Sequence, residues 1–217
     1  MTSGRHSDRG QAFPIYIVVI AGLLFAALAF FVVGRAAITR SDAQGAADAA
    51  ALAAGREARD AVLLNLDLAA LKPADWEKIV DGELLERGEA CAAADTFAAR
   101  NGGRVTQCDP APPEFTVSVE TNATVGDSVI PGTDSRHGTA TATASVQAKC
   151  FLSAAPTPSP TLAPPTDGGS PAPTPAPTPP PVTVAFNCGG ELVKLDPLKP
   201  GSLSDLTRKL FSVRLVG

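Results

Sequence analysis

The sequence predicts an α+β protein. A single N-terminal transmembrane helix extends outward as a long alanine-rich helix, and a small disulfide-stapled α+β domain follows, with an antiparallel sheet and a disordered Pro/Thr-rich loop. Three observations carry this. Phe13 to Val33, FPIYIVVIAGLLFAALAFFVV, contains no charged residue. The stretch from there to Leu71 is built mainly of alanine and other good helix formers. Beyond Pro73, runs that alternate apolar with polar residues are separated by Gly- and Pro-rich turns, and all four cysteines lie in that part of the chain.

The segments divide as 1–12, a cytoplasmic tail; 13–33, the transmembrane helix; 34–72, the alanine-rich helix; 73–153, the α+β domain; 154–181, the loop; and 182–217, a hairpin and helix that complete the domain. With 5% aromatic residues and 20 prolines in 217, one large soluble enzyme core is excluded. Four of the 18 basic residues and one of the 22 acidic ones precede Ser41, so the rest of the chain sets 14 basic against 21 acidic side chains, net −7. That acidic body argues against nucleic acid as a partner, because phosphate binding needs a basic face.

The uncharged run of 21 residues makes about 31 Å of helix, the thickness of a hydrocarbon core. Pro14 stands in the first turn, where its missing N–H removes no helical bond, and Tyr16 lies at interfacial depth. The run is too long for a signal-peptide core, so an uncleaved anchor is expected, ending at Phe13 and Val33. Arg5 and Arg9 on one side balance Arg35 and Arg40 on the other. Cysteines paired as disulfides belong in an oxidising compartment, and with the proline-rich tract on their side of the span this places the N-terminus inside the cell and the rest outside.

Past the bilayer no strong breaker occurs before Pro73, and the helix is expected to run to Leu71, a rod of about 88 Å from Phe13. On it Ala46, Ala50, Ala54 and Ala58 fall at i, i+4 spacing, as do Ala43, Ala47 and Ala51. These two rows of small residues form a face that another helix, of this chain or of another subunit, can approach closely. Gly22 and Ala26 make a small pair in the membrane on the same logic, although alanine's helix propensity accounts for that pair alone.

Residues 74–101 read as a broken helical pair with Gly82 and Gly88 as weak points, Asn101-Gly102-Gly103 as the C-cap, and Trp76, Ile79 and Val80 on a core face. Strands are expected over 104–108, over 114–121 with Phe115, Val117 and Val119 on one face, and over 138–147. The last alternates Ala140, Ala142, Ala144 and Val146 against polar residues, so something must press close on that face. VTVAF and ELVKL read as a hairpin about Cys188-Gly189-Gly190. Ser202 to Asp205 resembles a capping box before a short helix, and Val213, Leu215 and Val216 return to the sheet or cover an edge.

An even cysteine count without C-x-x-C favours two disulfides over a metal site. Cys91 and Cys108 flank a Gly-Gly turn, where a staple would contribute about 3 kcal/mol, leaving Cys150 for Cys188; the other two pairings stay open. If Cys150 bonds Cys188, the Pro-rich tract between them is a looped-out excursion rather than a stalk of about 80 Å. Its threonines are candidates for O-glycosylation.

No catalytic set emerges, and no cofactor or metal is expected. His6 lies in the tail, and His137 is a lone loop histidine. Ser202 and Ser204 lack a strand-to-helix G-x-S-x-G context. Glu83, Glu86 and Glu89 read as a solvated face. Asn122-Ala123-Thr124 matches a glycosylation sequon by pattern only.

Arg9-Gly10-Gln11-Ala12, one apolar helix, and then the run from Ala46 to Ala54, AADAAALAA, occur in that order. This N-terminal segment resembles those of TadE/TadG-like proteins of tight-adherence (Flp) pilus assembly. The resemblance covers about the first 60 residues, and alanine and arginine usage suggests a high-GC bacterium such as an actinobacterium. Pilins of such systems carry a glutamate at the fifth position after the processed glycine. Counting from Gly10 that position is Ile15, and no acid occurs between Asp8 and Asp42. Peptidase processing is therefore not carried over, and the chain resembles the TadG side, which keeps its anchor. The resemblance implies a structural or assembly subunit whose partners are the lipid bilayer and other small membrane or pilus-assembly subunits met through the alanine-rich helix. The alternative is an anchored module that binds a ligand or cell-wall component.

Overall fold

The structure, a computed structural model, describes residues 12–126, 132–153 and 183–217. Most of the tail and the Pro/Thr tract predicted to be disordered lie outside the described residues.

One helix, α1 (Ala12–Ala61), runs without a break from the apolar segment into the domain, about 75 Å in all. It ends ten residues before the expected Leu71. Asn65 and Asp67 are poor helix formers that bond locally. The Asp67 carboxylate accepts the Ala69 N–H at 3.2 Å, and the Leu64 N–H turns back to the Ala61 carbonyl at 3.0 Å. The folded-back turns bury Val62, Leu63 and Leu68 in the core. Pro73 also has a different role from the expected helix stop: it occupies the first turn of α2 (Pro73–Val80), where a missing N–H costs nothing. Trp76, Ile79 and Val80 are buried there, as their shared face indicates. After Gly82, at φ +80°, α3 (Ala90–Arg100) begins, and the Asn101 side chain closes it on the Phe97 carbonyl at 2.8 Å.

The strands are β1 (Gly103–Ala111), β2 (Glu114–Thr124), β3 (His137–Ala148), β4 (Cys150–Leu152), β5 (Val184–Cys188), β6 (Glu191–Leu195) and β7 (Phe211–Val216). A short helix, α4 (Leu203–Leu210), precedes β7. Four strands form an antiparallel sheet in the order β1-β2-β3-β7, and β4-β5-β6 form a second, three-stranded one. The apolar tail thus joins the main sheet, with Val213 opposite Val146. Ser202 caps α4 by accepting the Asp205 N–H at 3.3 Å.

The main sheet is half-solvated. Phe115, Val117 and Val119 of β2 and Ala142, Ala144 and Val146 of β3 are buried on the inner face. On the outer face hydroxyls pair across the strands at 2.8 Å, Thr116 with Thr143 and Ser118 with Thr141. The second half of α1 lies on the inner face and against α3, so the alanine-rich helix is the centre of the domain rather than a rod leading to it. Trp76 meets Phe186 edge-on at 5.8 Å and joins α2 to the smaller sheet.

Candidate functional site

Two surfaces of α1 are candidates for function, and side-chain size separates them. From Phe13 to Val33 the large residues stand clear of the protein, Phe30 at 84% exposure and Leu24 at 66%. No part of the most apolar stretch is covered by the chain itself. A soluble protein does not leave such an area in water, whereas a bilayer covers it. Gly22 has nothing within 4 Å of a built Cβ, so the small Gly22/Ala26 pair meets no element of this chain.

The alanine face is different. Ala43, Ala46, Ala47, Ala50, Ala51, Ala54 and Ala58 are each at most 1% exposed. Elements of the same chain cover them, principally β3, β2 and α3. Of the two partners expected for this face, the chain's own domain is the one that covers it, and a foreign helix reaches it only if the domain opens. The small side chains let a four-stranded sheet and a helix both close on α1. The burial extends to Ala53 and Gly55, outside the two anticipated rows.

Two glycines complete the fit, and i, i+4 counting does not identify them. A Cβ on Gly55 would stand 2.9 Å from Val213 Cγ1, which makes this helical glycine the seat of β7. A Cβ on Gly138 would collide with the Thr39 carbonyl oxygen, and Thr39 is itself buried. The signal for both was present, Gly55 at the end of the alanine run and Gly138 at the start of the alternating run of β3, but it names no partner.

Polar groups hold the rim. Gln44 donates to the Asp48 carboxylate at 2.7 Å, so the one acid of the alanine run bonds along its own helix at an exposed flank. Asp60 pairs with Arg59 at 2.9 Å and accepts the Thr207 hydroxyl at 3.4 Å, fastening α4 to the end of α1. His137, placed in a loop by the sequence reading, is the first residue of β3. Its Nδ1 lies 2.7 Å from the Thr121 carbonyl and 4.0 Å from Glu120, which pairs with Arg104 at 3.0 Å. These contacts hold the β2–β3 end together.

Both disulfides form. Cys91–Cys108 ties α3 to β1 with Cα atoms 5.9 Å apart, and Cys150–Cys188 joins facing residues of β4 and β5 with Cα atoms 4.1 Å apart. The Ser153 N–H donates to the Ala185 carbonyl at 2.8 Å, so the chain leaves for residue 154 and returns after residue 182 on neighbouring strands. An open cleft of about 500 Å³ lies where α1 enters the domain, lined by Arg35, Ile38, Asp42, Asn101 and Thr124 among others.

Residues 10–59 match the family described as putative Flp pilus-assembly TadE/G-like. The matched stretch is the apolar span together with the alanine face, and the N-terminal segment is TadE/TadG-like in that sense. No curated protein and no solved structure gives a significant match to the chain.

Proposed function

We propose that this protein is a non-catalytic structural or assembly subunit of a Tad/Flp-type pilus or a related secretion apparatus. Its N-terminus lies in the cytoplasm, one helix crosses the membrane, and the stapled domain stands outside. The observation that carries the reading is the coincidence of two boundaries. The pilus-assembly family match ends at residue 59, two residues before α1 ends at Ala61. What matches is therefore one continuous element, half for lipid and half for the domain core.

Burial of the alanine face bears on how such a subunit meets its partners. The alanine face is occupied, so the contacts fall to the uncovered surfaces: the apolar half of α1 within the bilayer and the outside of the domain. In the membrane, close approach along Gly22 and Ala26 supplies packing where lipid offers no hydrophobic gain. Two disulfides in a small domain suit an oxidising compartment and support the outward orientation.

Site-specific photo-crosslinking in cells that make the apparatus tests the proposal. A photoreactive residue at Leu24, Phe31 or Gln44 is expected to give defined heteromeric adducts with other small membrane proteins. Adducts with lipid or with the same chain alone, at all three positions, would contradict an assembly role.

A further inference from the structure

Heights above the bilayer can be read from two elements at once. Gly138 abuts the Thr39 carbonyl, and farther along Gly55 lies against Ala144 and Val146. That is about 24 Å of helix against about 20–26 Å of strand. β3 therefore runs beside α1 in the same direction, away from the membrane. Arg35 is two residues past Val33, about 3 Å along the helix. Arg136 precedes Gly138 by two residues, about 7 Å back toward the membrane, and Arg35 precedes Thr39 by about 6 Å. The two arginines are level.

β2 and β3 are still joined at this height. The Val125 N–H donates to the Arg136 carbonyl at 2.8 Å, and a Cβ on Gly126 would stand 3.0 Å from Arg35 Nη2. The headgroup layer outside each face of the hydrocarbon is about 5–8 Å thick, so both arginines fall within it. Neither guanidinium belongs to any ion pair among the described residues. Asp134, exposed, is the described carboxylate near this height; Asp42, in the same cleft as Arg35, stands about 10 Å farther up α1, and Glu120 also sits higher and is paired with Arg104 at 3.0 Å.

We infer that the base of the domain seats on the phosphate layer of the leaflet from which α1 emerges, with Arg35 and Arg136 binding anionic phospholipid headgroups. Guanidinium matches phosphate in charge and in its forked donor geometry. Two contacts on separate elements fix the tilt and roll of the domain, so that neighbours in the membrane meet the same face. The inference rests on the reading of Phe13–Val33 as a membrane span.

The test uses the full chain in nanodiscs of phosphatidylcholine alone and of phosphatidylcholine mixed with phosphatidylglycerol. Nitroxides are placed at Ser135→Cys and, as a distal reference, at Asn65→Cys. Ser135 is expected at headgroup depth, shielded from a water-soluble relaxation agent, with more shielding in the anionic discs, while Asn65 is freely accessible in both. The combined Arg35→Gln and Arg136→Gln variant is expected to lose the anionic increment with both disulfides and the β-sheet signal retained. A disc-bound chain with Ser135 as accessible as Asn65 would overturn the seating alone. Shielding that ignores lipid charge and both substitutions would overturn the assignment to the arginines. A chain that never enters the disc would overturn the spanning reading and this inference with it.

Discussion

The two halves of α1 share one continuous helical backbone, yet the first is uncovered all round and the second packs an apolar face into the core while its charged flank stays in water. Before Gly34 the large exposed positions are Phe, Tyr, Ile, Val and Leu, which fill a fluid surround without needing a fixed partner. From Ala43 to Ala58 the buried positions are alanine and one glycine, which bring a solid partner close. The positions that meet lipid and those that meet the core are both apolar, and side-chain volume separates them. Interiors pack at crystal density and penalise one misplaced methylene, whereas lipid accommodates bulk.

The most forceful way to break the comparison is to remove the staples. In the loop-entropy model Cys150–Cys188 contributes about 4 kcal/mol and Cys91–Cys108 about 3 kcal/mol. Reducing both is expected to unfold the domain while the lipid-embedded half of α1 stays helical. Far-ultraviolet dichroism in nanodiscs would retain a helical remainder as Trp76 fluorescence shifts to that of an exposed indole. A chain that keeps its native Trp76 signal when reduced would mean that the core holds without the staples.

A matched pair of substitutions sharpens the contrast. Ala50→Leu, in the closed half, is expected to destabilise the domain by about 1–3 kcal/mol through overpacking. Ala27→Leu, in the lipid half, is expected to change domain stability by less than about 0.5 kcal/mol. Denaturant titration of each variant in the same discs measures both. Equal effects would erase the distinction.

Glycines give a smaller version of the same experiment. Gly138→Ala drives a methyl into the Thr39 carbonyl oxygen, a backbone atom that cannot rotate away, and is expected to cost about 1–3 kcal/mol. Gly45→Ala meets nothing within 4 Å on an exposed helix flank. It is expected to stabilise by about 0.5–1 kcal/mol through helix propensity. The sign difference between the two midpoints of unfolding is the readout.

Much of the fold was legible because it rests on periodicity and on local chemistry. The charge-free run ending at Val33, the core face of Trp76 and Ile79, the inward alanines of β3 and the Ser202 cap all state their environment in a few residues. The end of α1 did not, since tertiary burial of Leu63 and Leu68 decides it against a helix-tolerant sequence. β4 escaped notice because three residues set no period, and it exists through pairing with β5 across the 154–182 excursion. The candidate site was half legible. Small rows announce that something approaches closely, but their spacing is the same whether the visitor is a second subunit or a strand nearly a hundred residues along the same chain.

That ambiguity is what thiol accessibility resolves. In the full chain held in a membrane, a cysteine at Ala50 and one at Gln44 are compared for their rates of reaction with a water-soluble maleimide. With the alanine half of α1 as the closed core of its own domain, Gln44→Cys is expected to react at the rate of an exposed thiol, and Ala50→Cys only as fast as the domain unfolds. Comparable rapid labelling at both positions would contradict the account and return the alanine face to the list of surfaces open to another subunit.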